Sequence, residues 1–117
     1  MIIVYGIPNC DTVKKARAWL TQHGLPYEFH DFKKQGVPLQ SLVAWEKALG
    51  WDKLLNRKGT TWRKLDAAVQ AAAVDAESAI ELMRLHASVI KRPVVEWSGP
   101  QGAVTVGFDA ESWAKRL

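Results

Sequence analysis

A chain of 117 residues is long enough to bury a core as one domain without a metal or a disulfide framework, and its single cysteine permits no intramolecular disulfide. The formal charge of +4 leaves room for an anionic partner, but no helix-turn-helix, zinc or aromatic-basic signature accompanies it, so nucleic acid is not expected. No apolar signal stretch opens the chain and no run is long enough to span a bilayer, so the expectation is a cytoplasmic protein with no membrane partner, in a reducing compartment that keeps the thiol available.

Ile2-Ile3-Val4-Tyr5 is a β-branched apolar run suited to a buried strand, broken at Gly6 and Pro8. A helical pattern follows, with Val13, Ala16 and Leu20 on one face. Cys10 sits at the break. A thiol at the opening turn of a helix faces unpaired backbone N–H groups and the positive end of the macrodipole, and both favour thiolate over thiol. Lys14 and Lys15 lie within the next turn and a half and push the same way. Lys14, four residues on, shares the face of Cys10, whereas Lys15 reads as solvent-facing. Asp11 opposes them and is expected to point outward as a first-turn acid. Asn9, Asp11 and Thr12 make the setting of Cys10 polar, unlike a core. From a free pKa of about 8.5, such surroundings lower a cysteine to neutrality or below, which would make Cys10 a nucleophile.

Gly24 and Pro26 stop the first helix, and Tyr27 to Phe32 alternates as a half-buried strand, with His30 on its polar face. The chain therefore opens β-α-β, a unit that favours two parallel strands. Lys33 to Gly36 reads as a polar turn. Leu39, Leu42, Trp45 and Leu49 mark a helix face that Gly50 closes, and Trp51 to Leu55 is a short helical turn. After an Asn56-Arg57-Lys58-Gly59 loop, Thr60 or Thr61 is expected to cap one helix carrying Trp62, Leu65 and Val69 and running to Val74. Asp75 caps the next, with Ala79, Ile80, Met83 and Ala87 inward. Val94 to Trp97 and Ala103 to Val106 read as a hairpin around a turn at Ser98 to Gly102, and Asp109 caps a last helix through Trp113 and Leu117.

The assembled order is β-α-β, a helical insertion, then β-β-α. That is a thioredoxin-like α/β fold whose middle is swollen into a helical subdomain, with residues 1–33 and 88–117 as the core and 37–87 as the insertion. Arg92-Pro93 stands where this fold carries a proline beside the active cysteine, and from that fold context the peptide bond is expected to be cis.

Three stretches match a known family in order along the whole chain: Tyr5 to Thr12, Leu54 to Leu65, and Ile90 to Pro93. They resemble the arsenate reductase (ArsC)/Spx family, most closely its YffB branch. The resemblance implies a catalytic cysteine at Cys10 and, at Arg92, an arginine that binds an oxyanion beside Pro93. A second arginine of the reductases aligns with Asn56, so Arg57 can substitute only if the loop turns differently. A third falls near Val106 or Gly107, and the histidine and arginine that bracket the reductase cysteine are here Gly6 and Lys14. The Spx regulators, which bind RNA polymerase, pair two cysteines as C-x-x-C, and the second position here is Val13.

With one cysteine, a redox cycle must borrow its second thiol. Cys10 is expected to form a mixed disulfide that glutathione, as co-substrate, resolves, acting on an unidentified disulfide, mixed-disulfide or oxyanion substrate with no bound cofactor or metal and as a monomer. Arg92 is the best clamp for a carboxylate because its planar fork binds bidentately, while Lys14 and Lys58 act as point charges and the backbone at Pro93 receives the tripeptide as an added strand. Arsenate reduction is the alternative activity, and an Spx-like regulator the alternative class.

Overall fold

A computed structural model describes residues 1–97 and 103–117. The turn expected at Ser98 to Gly102 lies outside the described residues. In chain order the elements are β1 (Ile2–Gly6), α1 (Asp11–Gln22), β2 (Tyr27–Asp31), α2 (Phe32–Gln35), α3 (Leu39–Leu49), α4 (Trp51–Leu54), α5 (Thr60–Lys64), α6 (Ala67–Ala72), α7 (Ala76–Leu85), a 3₁₀ turn (Ala87–Val89), β3 (Val94–Glu96), β4 (Val104–Val106) and α8 (Ala110–Ala114). They fall into two compact units, Met1–Gln35 with Arg92–Leu117, and Gly36–Lys91.

The first unit is a thioredoxin-like α/β layer. Its sheet has the order β2-β1-β3-β4, with β1 parallel to β2 and antiparallel to β3, and β3 antiparallel to β4. Alternation along β1 and β3 sends Ile2, Val4, Val95 and Trp97 to one face, where they meet Ala16, Trp19 and Leu20 of α1 and Trp113 of α8. Trp113 is the hub of an aromatic cluster, edge-on to Phe108 at 4.7 Å, Trp97 at 4.9 Å and Trp19 at 5.5 Å between ring centroids. The quadrupoles of aromatic rings favour such edge-to-face contacts. Helix α1 ends where Gly24 adopts φ +67°. The Gly24 N–H donates to Thr21 O at 3.1 Å and the Leu25 N–H to Leu20 O at 3.0 Å, the paired closure that a left-handed residue makes possible.

The second unit is helical. Leu42 and Trp45 of α3, Leu54 and Leu55, Ala79, Leu82 and Met83 of α7, and Val89 with Ile90 are its buried side chains. Leu55 and Ile90 form an isolated antiparallel bridge, flanked by Asn56 N–H to Val89 O and Lys91 N–H to Leu54 O, each 2.7 Å. Asp75 caps α7 by accepting the Ser78 N–H at 2.9 Å, while the Asp75 N–H reaches Ser78 Oγ at 3.2 Å. This reciprocal pair occupies donors that the first turn leaves open.

Several expectations about element boundaries are corrected. The single helix expected from Thr60 to Val74 is two short helices, because Leu65 and Asp66 are extended, with ψ 148° and 146°. The Gln70 amide donates to Trp62 O at 2.7 Å, taking the carbonyl that a continuing helix would have offered to Asp66. Phe32 leaves the second strand and opens α2, since the Asp31 carboxylate accepts the Lys33 N–H at 2.8 Å and turns the chain there. Lys33 to Gln35, expected as a turn, belongs to that helix. Ala87 lies past the end of α7 in the 3₁₀ turn, and Leu82 takes the inward position instead. Leu39 is half exposed, so the buried face of α3 begins at Leu42.

Candidate functional site

The pairing of β1 with β3 builds the site. Tyr5 lies opposite Val94 in the antiparallel register, so the chain leaves β1 at Gly6 beside the place where Pro93 enters β3. The residues just outside those two strand ends are the Ile7–Cys10 turn and Arg92 with Pro93. The Arg92–Pro93 peptide bond is cis, and Pro93 O accepts the Gly107 N–H at 2.9 Å, which ties the segment to the end of β4.

Cys10 is the N-cap of α1, with extended backbone at φ −78° and ψ 125°. Its N–H donates to Ile7 O at 3.1 Å, closing the turn after β1, and its carbonyl accepts the Lys14 N–H at 3.0 Å, the first bond of the helix. The side chain is half-buried. It makes no capping hydrogen bond of regular geometry. Burial alone would raise the thiol pKa, but the Val13 N–H, a hydrogen bond and positive charge from Arg92, and the Thr12 N–H together outweigh it, so the thiol lies below its ordinary value.

Arg92 is therefore the cation that acts on the sulfur. Lys14 was expected to share that work from the face of Cys10, but it is exposed on α1 and is not among the groups that lower the thiol; Lys15, expected to face solvent, is exposed as well. The guanidinium comes from a neighbouring strand end, whereas the two lysine stems extend into solvent. Asp11, Asn9 and Thr12 are exposed at the surface; Asp11 is the acid of the first turn. Thr12 joins the site through its backbone N–H.

Arg57 and Lys58 belong to the second unit. Arg57 Nη2 donates to Asp52 Oδ1 at 3.0 Å, and its guanidinium lies 5.3 Å from the Trp51 ring centroid. Asn56 Oδ1 accepts the Lys58 N–H at 3.3 Å. His30, read as a surface residue, is half-buried against Tyr5 and Phe32, with ring centroids 5.0 Å and 5.9 Å away. Glu96, the acid nearest Arg92 in the following strand, accepts from Tyr5 Oη at 2.9 Å.

Two residues gained importance that the sequence had shown only as punctuation or core. Val13 is fully buried, and its N–H faces the sulfur. A Cβ on Gly6 would stand 2.8 Å from Val13 Cγ2, so Gly6 is where the end of β1 meets the first turn of α1 without room for a side chain. The available signal was a β-branched residue three places after the cysteine, paired with a glycine where the strand ends. Among the described residues no group of three metal-ligating side chains occurs, and no helix is long and apolar enough to cross a membrane.

A half-buried thiol at a helix start, with an arginine and two amides turned toward it beside a proline in a thioredoxin-like layer, defines a class of thiol sites. The chain belongs to the ArsC family, whose model matches residues 5–116. An uncharacterized protein of Haemophilus influenzae is 39% identical over 113 residues, covering 97% of this chain and 96% of that one. Among solved structures, a YffB protein is 46% identical with a TM-score of 0.90, covering 98% of this chain and 97% of that one. An arsenate reductase (ArsC) related protein from Brucella melitensis is also 46% identical, with a TM-score of 0.73 and coverages of 97% and 92%. The global transcriptional regulator Spx of Listeria innocua is 25% identical over 97 residues, covering 81% of this chain and 72% of the regulator.

Proposed function

We propose that this protein is a cytoplasmic thiol-disulfide oxidoreductase that uses Cys10 as its nucleophile and glutathione as the resolving thiol. The observation that carries the reading is the convergence of Arg92 and two backbone amides on a thiol with no second cysteine in the chain. Cys10 thiolate attacks a glutathione mixed disulfide, forming a Cys10–glutathione disulfide and releasing the substrate thiolate. A free glutathione thiolate then attacks that disulfide, forming oxidised glutathione and returning Cys10 as thiolate. In balance, one free glutathione thiolate joins the glutathione half of the substrate as oxidised glutathione, and the rest of the substrate leaves as a thiolate. Arg92 serves twice, holding the thiolate and offering a planar fork to a carboxylate of the tripeptide. Lys14, on the same helix face, adds positive potential for an anionic co-substrate, Asn9, Asp11 and Thr12 line the approach, and the backbone at Pro93 receives the tripeptide as an added strand.

The test is the rate of Cys10 alkylation against pH, with and without glutathione, in the native chain and in Arg92→Ala. An inflection below about 7.5 with protection by glutathione that disappears in the variant supports the reading. An inflection at the free-thiol value with no protection overturns it. Turnover of a glutathione mixed disulfide against arsenate, with glutathione as reductant, separates this activity from arsenate reduction, which the Brucella melitensis relative brings into view. Likeness to Spx supports a second reading, a regulator docking on RNA polymerase. Retention of RNA polymerase on the immobilised chain would favour it.

A further inference from the structure

We propose that Gly6 and Val13 are a matched steric pair that fixes the first turn of α1 and so sets where the Val13 N–H stands relative to the Cys10 sulfur. The inference rests on the reading of Cys10 as a nucleophile and adds to it a positioning pair that touches no substrate.

Val13 is β-branched, and in a helix such a side chain has one strongly preferred rotamer. It is fully buried, so it has nowhere to swing. The site of a Gly6 Cβ lies 2.8 Å from its Cγ2, closer than carbon atoms approach without something moving, and 3.5 Å from its Cγ1, an ordinary contact. Any side chain at position 6 therefore displaces Val13, and with it the backbone of the turn that carries the Val13 N–H. Gly6 is itself held in the sheet opposite Asp31 of β2, one residue past the Tyr5–Val94 pair. The yielding partner is consequently the helix start. A shift of a few tenths of an ångström there moves the Val13 N–H relative to the sulfur, and the pull of an amide on a thiolate depends steeply on geometry. Arg92 is the charged group acting on the sulfur, while Asp11, Lys14 and Lys15 on α1 are exposed. A change in the first turn thus alters amide donation while the charge of Arg92 stays in place.

The experiment is a cycle of Gly6→Ala, Val13→Ala and the double variant, each read by the pH inflection of thiolate ultraviolet absorbance and by circular dichroism. Gly6→Ala is expected to raise the inflection by about one unit, as for a charge-assisted hydrogen bond that is weakened. Val13→Ala also raises it, because the turn loses its wedge. In the double variant the added methyl takes up part of the removed volume, and the inflection returns toward the native value. Should Gly6→Ala fail to fold, Val13→Ala and the double variant carry the same comparison. Inflections equal to the native one in the folded variants, or a double variant no lower than the higher single, overturn the proposal. A native inflection already at the free-thiol value instead overturns the reading of Cys10 as an activated nucleophile, so the two failures are distinct.

Discussion

Arg92 reaches the sulfur of Cys10 from across the β1–β3 junction, although 82 positions separate the two residues in the chain. Its substitution is the most direct probe of the site. Arg92→Ala removes a hydrogen bond and a positive charge that both lower the thiol pKa, so the inflection moves up, by about one unit or more. Arg92→Lys keeps a charge but loses the planar fork, and recovers only part of the shift. Titration of thiolate absorbance in the three proteins checks the order.

Stability should depend on pH through the same thiol. A depressed folded pKa means that the unfolded chain binds more protons between the two values, so stability rises with pH through that window. The gain is complete above the unfolded value of about 8.5 and is lost as pH falls through the lowered folded value. Cys10→Ser abolishes this contribution. Urea midpoints of the native chain and of Cys10→Ser, measured from pH 5 to about 9.5, should therefore diverge upward on the alkaline side, and parallel curves would rule the effect out.

Trp113 is 2% exposed and meets three aromatic rings edge-on. Trp113→Ala leaves a cavity at the centre of that cluster and is expected to cost about 3–5 kcal/mol. Trp113→Phe, which keeps a ring, should cost clearly less. Urea unfolding followed by circular dichroism gives both values.

Gly59 precedes α5, and a Cβ there would stand 2.8 Å from Asn56 Nδ2. Asn56 Oδ1 meanwhile accepts the Lys58 N–H. Gly59→Ala should displace the amide and break that bond, with a loss of about 1 kcal/mol. Adding Asn56→Gly removes the obstacle, so the Gly59→Ala step should cost less in that background. A double-mutant cycle in urea measures the coupling.

The hydrophobic periods made the order of the sheet elements and α1 legible, because Val13, Ala16 and Leu20 repeat at helical spacing and Val94 to Trp97 lies beside turn residues. They also marked Asp75 and Asp109 as caps, and both side chains accept amides in the structure. The break at Leu65 and Asp66 was hidden, since the alanine-rich tract has high helix propensity throughout and the deciding bond comes from the Gln70 side chain. At the site, position alone marked Cys10 and order in the fold marked Arg92. The exposed aim of Lys14 and the wedge between Gly6 and Val13 depend on backbone placement, which no spacing rule carries.

The single thiol of this chain has a kinetic meaning. Once Cys10 is held in a disulfide, no group within the molecule can free it by exchange, so its release is second order and scales with the thiolate concentration outside. The lifetime of the oxidised chain is then a gauge of the surrounding thiol pool. Where that pool falls, modified chains persist longer.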